Sequence, residues 1–396
     1  MKILILSFYY EPDLSAGSFR STSLVSAILD QLSSEAHVEV ITTLPNRYSS
    51  FNREALDLEI HPRLTVNRIA LPPHKSGMLD QSRAFLGFAK GVLQLSRGKN
   101  YDLVFATSSR LMTAVLGAYV SKRTKSKLYL DIRDIFVDTI QDILPKKFTF
   151  LIKNLFSILE YWAIRRANKI NLVSEGFLPY FRQRYPRKDF MLFTNGIDQE
   201  FIDNQPQVSS LSNSSILNVV YAGNFGEGQG LHLIIPELSR RFTGRLQFNL
   251  IGDGGRKQQL VSALISSDIT NVKILPPVKR EELIKIYQSA DILFLHLNDY
   301  DAFRKVLPSK IFEYGALGKP IWAGVAGYAA EFLRKNITNA AIFTPCDVND
   351  AVNSFEYLEL ITRPRIDFIE NFARIKIMQK MAGDIISLAS VDVHDC

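Results

Sequence analysis

Short apolar segments alternate with longer helical segments along almost the whole chain, and this alternation constrains the fold more than any other feature. KILILSFYY, HVEVITTLP and KLYLDIRD have the composition of strands, whereas SFRSTSLVSAILDQLS has the periodicity of a helix. Apolar strands separated by helices are typical of a parallel sheet that is covered on both faces. The sequence therefore predicts an α/β fold.

The alternation occurs in two series, and 396 residues exceed what one ordinary core accommodates. The second series runs from ILNVVYAGNFG through LQFNLIGDGG to AAIFTP, and a polar, Ser-rich stretch at 205–215 separates it from the first. We predict two doubly wound, Rossmann-like domains that face each other across a cleft. They span residues 1–204 and 205–365, and a helix at 366–389 completes the first domain.

The net charge of +7 is unevenly distributed, because residues 1–200 carry +8 and residues 201–396 carry −1. This asymmetry indicates an anionic partner for the first half, either a membrane surface or nucleic acid. The sequence has no zinc-finger spacing and no dense basic arm, so we expect no nucleic acid. Residues 144–169 have basic ends and an aromatic, apolar middle. That pattern fits a helix lying on a membrane, and it equally fits a long helix packed on the sheet.

The cellular location is predicted from what the sequence lacks. No run of 18 uncharged apolar residues occurs, and the start of the chain resembles a first strand more than a signal peptide. Two cysteines, Cys346 and Cys396, make neither a disulfide framework nor a metal site. We predict a cytoplasmic protein.

The stretch VLPSKIFEYGALGKP places Lys310 and Glu313 three residues apart in a short helical segment. Residues at this spacing share a helix face, so a surface salt bridge is one interpretation. Pro308 and Ser309 suit a helix entry and an N-cap, which would set Lys310 at the positive end of the helix dipole. A cation is unfavourable there unless an anion shares the site. Phosphates beside Lys310 and a ribose beside Glu313 would together indicate a nucleotide.

Other turns are weaker signals. YAGNFGEGQGL is a glycine-rich turn after a strand, and Gly252-x-Gly254 lacks the third glycine and the acidic ribose partner of a dinucleotide site. Asp299-x-Asp301 could hold a divalent ion, but its loop context favours a solvated turn, and the six histidines have no metal-ligand spacing. We expect no metal and no other cofactor.

An ordered set of motifs extends over nearly the whole chain: FYYEPDLSAGSFR, HVEVITTLPNRY, YLDIRDIFVD, VSEGF, TNGID, VVYAGNFGEGQGL, LIGDGG and PSKIFEYGALGKP. In this order they resemble the family 4 retaining glycosyltransferases, which have the GT-B fold. Within that family the chain is similar to the branch that builds bacterial O-antigen and capsule repeats with N-acetyl-fucosamine or related HexNAc sugars.

The resemblance implies a donor site formed by Gly17, Arg20, Gly223, Asn224, Leu275, Arg304, Ser309, Lys310 and Glu313. Glu313 would bind the nucleotide ribose, Lys310 and the backbone at Ser309 would hold the diphosphate, and the loop at Leu275 would meet the base. Gly17 and Arg20 would border the donor phosphates from the first domain. Asn224 and Gln229 stand where many relatives carry an Arg and a Lys that bind phosphate. Phosphate binding would therefore depend more on Lys310 and Arg304. Lys305 replaces the first Glu of the family's E-x7-E motif.

Arg133 stands where many relatives have a histidine near the donor sugar, and Asp134 would orient the acceptor hydroxyl or take its proton. A salt bridge within the domain is the alternative for this pair. The implied reaction transfers a sugar from a UDP-sugar to a polyprenyl-diphosphate-linked glycan, without a metal, on the cytoplasmic face of the inner membrane. A UDP-HexNAc 2-epimerase-like enzyme and a non-catalytic sugar-nucleotide or membrane-binding module remain alternatives.

Overall fold

The chain divides into two α/β units in the computed structural model. The first unit comprises residues 1–195 and 374–396, and the second comprises residues 196–373. The structure describes residues 1–13, 15–45, 55–71, 78–108, 111–135, 146–204, 209–210 and 216–390. Most of the predicted linker at 205–215 lies outside these ranges, as does Cys396.

An eight-stranded sheet forms the centre of the first unit. Its strands are β1 (Lys2–Leu6), β2 (His37–Thr43), β3 (Leu58–His61), β4 (Leu64–Ile69), β5 (Leu103–Ser108), β6 (Lys127–Ile132), β7 (Lys169–Leu172) and β8 (Phe190–Met191). They are ordered β3-β4-β2-β1-β5-β6-β7-β8, and every pair is parallel except β3–β4. The helices between them are α1 (Ala16–Gln31), α2 (Met78–Leu95), α3 (Leu111–Thr124), α4 (Lys146–Arg166) and α5 (Leu178–Arg184). Strands β5 and β6 are buried along their whole length, as the apolar runs predict.

The second unit has its own parallel sheet of six strands. They are β10 (Leu217–Asn224), β11 (Leu246–Asp253), β12 (Val272–Leu275), β13 (Ile292–His296), β14 (Ile321–Gly324) and β15 (Ala340–Phe343), in the order β12-β11-β10-β13-β14-β15. A small antiparallel pair joins β9 (Ser209–Ser210) to β16 (Ile361–Thr362). The helices are α6 (Gln199–Ile202), α7 (Leu231–Arg241), α8 (Lys257–Ser266), α9 (Arg280–Ser289), α10 (Lys310–Ala316), α11 (Tyr328–Asn336), α12 (Val348–Phe355) and α13 (Ile366–Phe372).

The boundary between the units lies earlier than the predicted one after residue 204. The Ile197 amide donates to the Phe372 carbonyl at 2.7 Å, and Asp198 is paired with the Arg280 guanidinium. Both partners of each contact belong to residues 196–373. The segment from Gly196 to residue 204 is therefore part of the second unit, which local sequence patterns could not show.

The predicted final helix at 366–389 is two helices that belong to different units. In α13 the Phe368 ring packs against Gly315 and Phe312, which are residues of the second unit. The helix α14 (Arg374–Ser390) belongs to the first unit, where the Gln31 side chain donates to the Gln379 carbonyl at 2.9 Å. Only the part from Arg374 onward completes the first core. Among the described residues, no helix combines the length and the apolar character that crossing a membrane requires.

Candidate active site

Two adjacent turns at the carboxyl ends of β10 and β11 form the floor of the candidate site in the second unit. Gly223 and Gly252 lie opposite each other in the parallel register. A Cβ atom on Gly252, whose φ is +148°, would lie 1.9 Å from the Gly223 carbonyl oxygen. A Cβ on Gly223 would come within 3.3 Å of the Lys310 Cε atom. The two glycines therefore permit a close turn over which the Lys310 side chain passes.

The contact at Gly252 gives a direct test of this turn. We expect Gly252→Ala to lower the free energy of unfolding by about 1–3 kcal/mol, because the backbone at Gly223 must move to make room. Gly255→Ala is the matched control, since a Cβ there would meet no atom within 4 Å. Urea unfolding of both variants measures the difference. Equal stabilities would contradict the close approach of the two turns.

Lys310 and Glu313 form an ion pair at the start of α10. The Lys310 Nζ atom lies 3.0 Å from Glu313 Oε2, and the two side chains are 21% and 15% exposed. Burial disfavours the charge of Lys310, but the Glu313 carboxylate more than offsets this and raises the pKa of Lys310 above its usual value. The ammonium group also lies 5.8 Å from the centre of the Tyr287 ring. The helix entry differs from the prediction, because the Ser309 side chain makes no capping hydrogen bond.

The glycine-rich turn after β10 is fixed by its own side chains. Asn224 Nδ2 donates to Gln229 Oε1 at 2.9 Å, so the two amides that replace the expected cations bind each other. The Tyr300 hydroxyl donates to Glu227 at 2.7 Å, and Arg256 is paired with the same carboxylate. Arg256 therefore helps to hold the turn from outside, but the turn itself contains no cationic residue between Gly223 and Gly230.

His296 was not predicted as part of this site. It is fully buried at the end of β13, its Nδ1–H donates to the Gln229 carbonyl at 2.7 Å, and its Nε2 accepts from the Cys346 amide at 3.0 Å. Burial lowers the pKa of His296 to about 4, although the carbonyl partner acts in the opposite direction. The ring is a neutral support for the glycine-rich turn. Nothing local in the sequence marks it, because its partners lie 67 and 50 residues away.

Arg304 and Leu275 lie at other edges of the second unit. The Arg304 guanidinium is bonded to both Asp299 oxygens at 2.9 and 3.0 Å, and its side chain is 52% exposed. Asp299 is thus engaged by an arginine, and the described part of the chain contains no cluster of metal-ligating side chains. Leu275 ends the edge strand β12 and is 37% exposed.

The structure corrects the prediction for Arg20. Its side chain is 1% exposed, and its Nε and Nη2 atoms donate to the two oxygens of the fully buried Asp131, both at 2.9 Å. Nη1 and Nη2 also donate to the backbone carbonyls of Thr194 and Phe193 at 2.7 and 2.9 Å. Four of the five N–H groups of Arg20 are thus bonded inside the first unit, and the buried side chain does not face a donor phosphate. The sequence could not show this, because Asp131 lies 111 residues away.

Arg133 and Asp134 follow β6 at the carboxyl edge of the first sheet. The Arg133 Nη1 atom lies 2.6 Å from the position that a Cβ on Gly17 would occupy, so the guanidinium rests on the first turn of α1. More than a third of the surface of Asp134 is exposed to solvent. The residue also lines a recess together with Ser108, Leu111 and Phe181. Desolvation there raises the pKa of Asp134 to about 6, and the nearby Arg133 charge offsets part of the effect. The structure therefore brings Gly17 and Arg133 together, with Asp134 beside them.

Two doubly wound units of this kind define the GT-B class of glycosyltransferase folds. Residues 205–374 match the family model described as "Glycosyl transferases group 1". No curated protein sequence matches the chain.

Solved structures support the fold over the whole chain. Anabaena HepE in complex with UDP-glucose has a TM-score of 0.68 at 18% identity, covering 98% of this chain and 100% of that one. The lipopolysaccharide-biosynthesis glycosyltransferase WaaG has a TM-score of 0.62 at 11% identity, with 98% and 97% covered. The catalytic domain of starch synthase IV from Arabidopsis thaliana, bound to ADP and acarbose, has a TM-score of 0.61 at 15% identity, with 98% of each chain covered. The predicted GT-B fold is confirmed.

Proposed function

We propose that the chain is a retaining glycosyltransferase that moves a sugar from a UDP-sugar to a lipid-linked acceptor. The observation that carries this proposal is the Lys310–Glu313 pair, which lies over the Gly223 turn at the carboxyl edge of the sheet in the segment that matches the glycosyltransferase group 1 family model. Ligands of open α/β sheets bind at this edge. The solved complexes of HepE with UDP and with UDP-glucose support the choice of uridine nucleotide.

Lys310 would bind the donor diphosphate, and Glu313 would accept hydroxyl groups of the ribose. The backbone at Gly223, Asn224 and Ser309 would contribute amide donors to the phosphates. As the bond between sugar and phosphate breaks, negative charge grows on the leaving nucleotide, and a lysine fixed beside it stabilises that charge. We propose that Lys310 would provide this stabilisation in place of a divalent ion, so that the reaction would be metal-independent.

Asp134 would accept the proton of the acceptor hydroxyl or orient it. Its pKa is raised to about 6. A general base with this pKa is ionised near neutral pH and can still accept a proton from the acceptor hydroxyl. We expect kcat/KM to be constant above pH 7 and to fall about tenfold per pH unit below pH 6, because the carboxylate becomes protonated there. Asp134→Asn should remove this acid limb together with most of the activity. The neutral His296 cannot produce the same limb, since its pKa is lowered to about 4.

The acceptor that we propose is a polyprenyl-diphosphate-linked glycan, and the sugar is a HexNAc or N-acetyl-fucosamine type, as in O-antigen and capsule repeats. A lipid-linked acceptor requires the enzyme to meet an anionic membrane from the cytoplasmic side. Helix α4 offers a surface for this, because Leu155, Ile158 and Tyr161 are 56%, 66% and 49% exposed at a spacing of three residues. Arg165 follows on the same helix and lies 5.5 Å from the centre of the Tyr161 ring. Exposed apolar and basic side chains together suit an anionic lipid surface.

Vesicle sedimentation tests this surface. We expect the double variant Leu155→Asp/Ile158→Asp to bind vesicles of anionic phospholipid at least tenfold more weakly, because two apolar side chains lose their burial in lipid. Ile265→Asp is the control, since Ile265 is 71% exposed in the second unit. If both proteins bind the vesicles like the wild type, α4 is not the membrane surface.

A transfer assay separates the proposed function from its alternatives. Purified protein is incubated with UDP-N-acetylglucosamine and related UDP-sugars in EDTA, with and without a polyprenyl-diphosphate-linked sugar. The transferase releases UDP and extends the lipid only when the acceptor is present. An epimerase would convert the UDP-sugar without acceptor, and a binding module would retain UDP without turnover, so either result would contradict the proposal.

A further inference from the structure

The Tyr287 ring lies close to the end of the Lys310 side chain. The Lys310 Nζ atom is 5.8 Å from the centre of this ring, within the range of about 6 Å in which the negative face of an aromatic ring attracts a cation. Tyr287 is fully buried, and the Lys310 side chain is 21% exposed. The attraction is stronger at such a site than at an exposed one, because little water screens it. The ring is therefore part of what holds the ammonium group in place.

Neighbouring aromatic side chains fix the orientation of the Tyr287 ring. Tyr287 and Ile284 are the buried residues of α9. The Tyr314 ring of α10 meets the Tyr287 ring at 86° with centres 5.3 Å apart, and the Phe201 ring of α6 lies 6.3 Å away. Phe201 is itself covered by the Arg280 guanidinium, which lies 5.0 Å from the centre of its ring. A ring enclosed in this way keeps one position, so it can set the position of a flexible lysine beside it.

An aromatic ring restrains Lys310 in a way that a second carboxylate could not. The ammonium group has three N–H donors, and Glu313 accepts one of them at 3.0 Å. A contact with the face of a ring uses no N–H donor, so donors remain for phosphate oxygens. A second carboxylate would take another donor and would repel a diphosphate. The ring and Glu313 together can therefore fix the ammonium group and leave it able to bind an anion.

We propose that Tyr287 is a positioning residue of the donor site, and that its ring holds the Lys310 ammonium group where the donor diphosphate binds. This inference rests on the proposed function, which assigns the diphosphate to Lys310. Lysine has a flexible stem and rotating donors, so its charge acts fully on the leaving phosphate only while the Nζ atom is kept in place. Tyr287 is fully buried, so it acts through Lys310 and not as a ligand of the nucleotide.

The preference for UDP over UMP reports the position of Lys310, because UMP lacks the second phosphate. Tyr287→Leu keeps an apolar side chain and removes the ring, so it should lower the ratio of the UDP and UMP affinities about tenfold. Tyr287→Met makes the same change with a more flexible side chain, should the leucine variant not fold. Tyr287→Phe keeps the ring and should keep the ratio. In Lys310→Gln the ratio should already be low, and adding Tyr287→Leu should not lower it further. Calorimetric titration of the full chain with each nucleotide measures these ratios.

Phe332→Leu is the control for a loss of packing, since Phe332 is 7% exposed in the same apolar core as Tyr287. It should lower the melting temperature, as Tyr287→Leu does, and leave the UDP-to-UMP ratio unchanged. All titrations are made below the melting temperatures of the variants. An unchanged ratio in Tyr287→Leu, or an equal fall in Tyr287→Phe or Phe332→Leu, would overturn the inference. Failure of the proposed function would appear differently, as a wild type that binds UDP no more tightly than UMP.

Discussion

Lys310→Gln should reduce transfer from a UDP-sugar by roughly two to three orders of magnitude, which is the usual effect of removing one donor that stabilises a developing oxyanion. The glycine-rich turn contributes no cation between Gly223 and Gly230, and its two amide side chains bind each other. Arg304 is engaged by Asp299. Lys310 therefore neutralises a larger share of the phosphate charge than a single lysine would in a site with several cations.

Steady-state kinetics and UDP titration measure this effect. Lys335→Gln is the control, because Lys335 is an exposed lysine on α11 in the same unit. Glu313→Gln should weaken UDP binding as well. The double variant should lose less binding free energy for UDP than the sum of the losses in the two single variants, since the residues act as a pair. If Lys310→Gln binds UDP and turns over like the wild type, the pair is only a structural salt bridge.

Arg20→Leu should lower the free energy of unfolding of the first unit by about 3–5 kcal/mol, the cost of leaving a buried ion without its partner. Asp131 is 1% exposed, and Arg20 supplies two of its hydrogen bonds. The substitution also removes the Arg20 donor of the Thr194 carbonyl, whereas the Phe193 carbonyl keeps its hydrogen bond from Asn171.

Hydrogen exchange resolved to β6 and α1 measures this loss in the intact chain. The double variant Arg20→Leu/Asp131→Leu should recover part of the stability, because it removes both charges together. UDP affinity should be unchanged in Arg20→Leu at a temperature where the protein is folded. A stable Arg20→Leu variant with weakened UDP binding would restore the role in the donor site that the sequence predicted.

The sequence was sufficient for the features that depend on neighbouring residues. Apolar strands such as KILIL and KLYLDI were recognisable, and Lys310 and Glu313 lie within one helical turn, so their pairing was predictable. Features formed by distant residues were not predictable. Arg20 was taken for a phosphate ligand because a basic residue after the first strand gives no sign of a partner on β6.

The same limit explains two other differences. The contact of Arg133 with Gly17 joins the ends of two strands that are separated by β2 to β5 in sequence, and no local pattern records it. The domain boundary was placed too late because a Ser-rich stretch signals a loop, whereas Asp198, which precedes that stretch, already pairs with Arg280 of the second unit. A single sequence indicates which segments form strands and helices, but not which buried charges are already paired.

The return of α14 to the first unit determines the order in which the two units can mature on the ribosome. Every residue of the second unit, up to Ala373, has been synthesised before Arg374 emerges, although the first unit begins at Met1. Met378, Met381 and Ile385 complete the core that contains Ile3 and Val38, and these three side chains are translated only after the whole second unit. During synthesis the second unit can therefore fold while the first unit still exposes part of its core, so apolar surface of the first unit stays open to aggregation for longer.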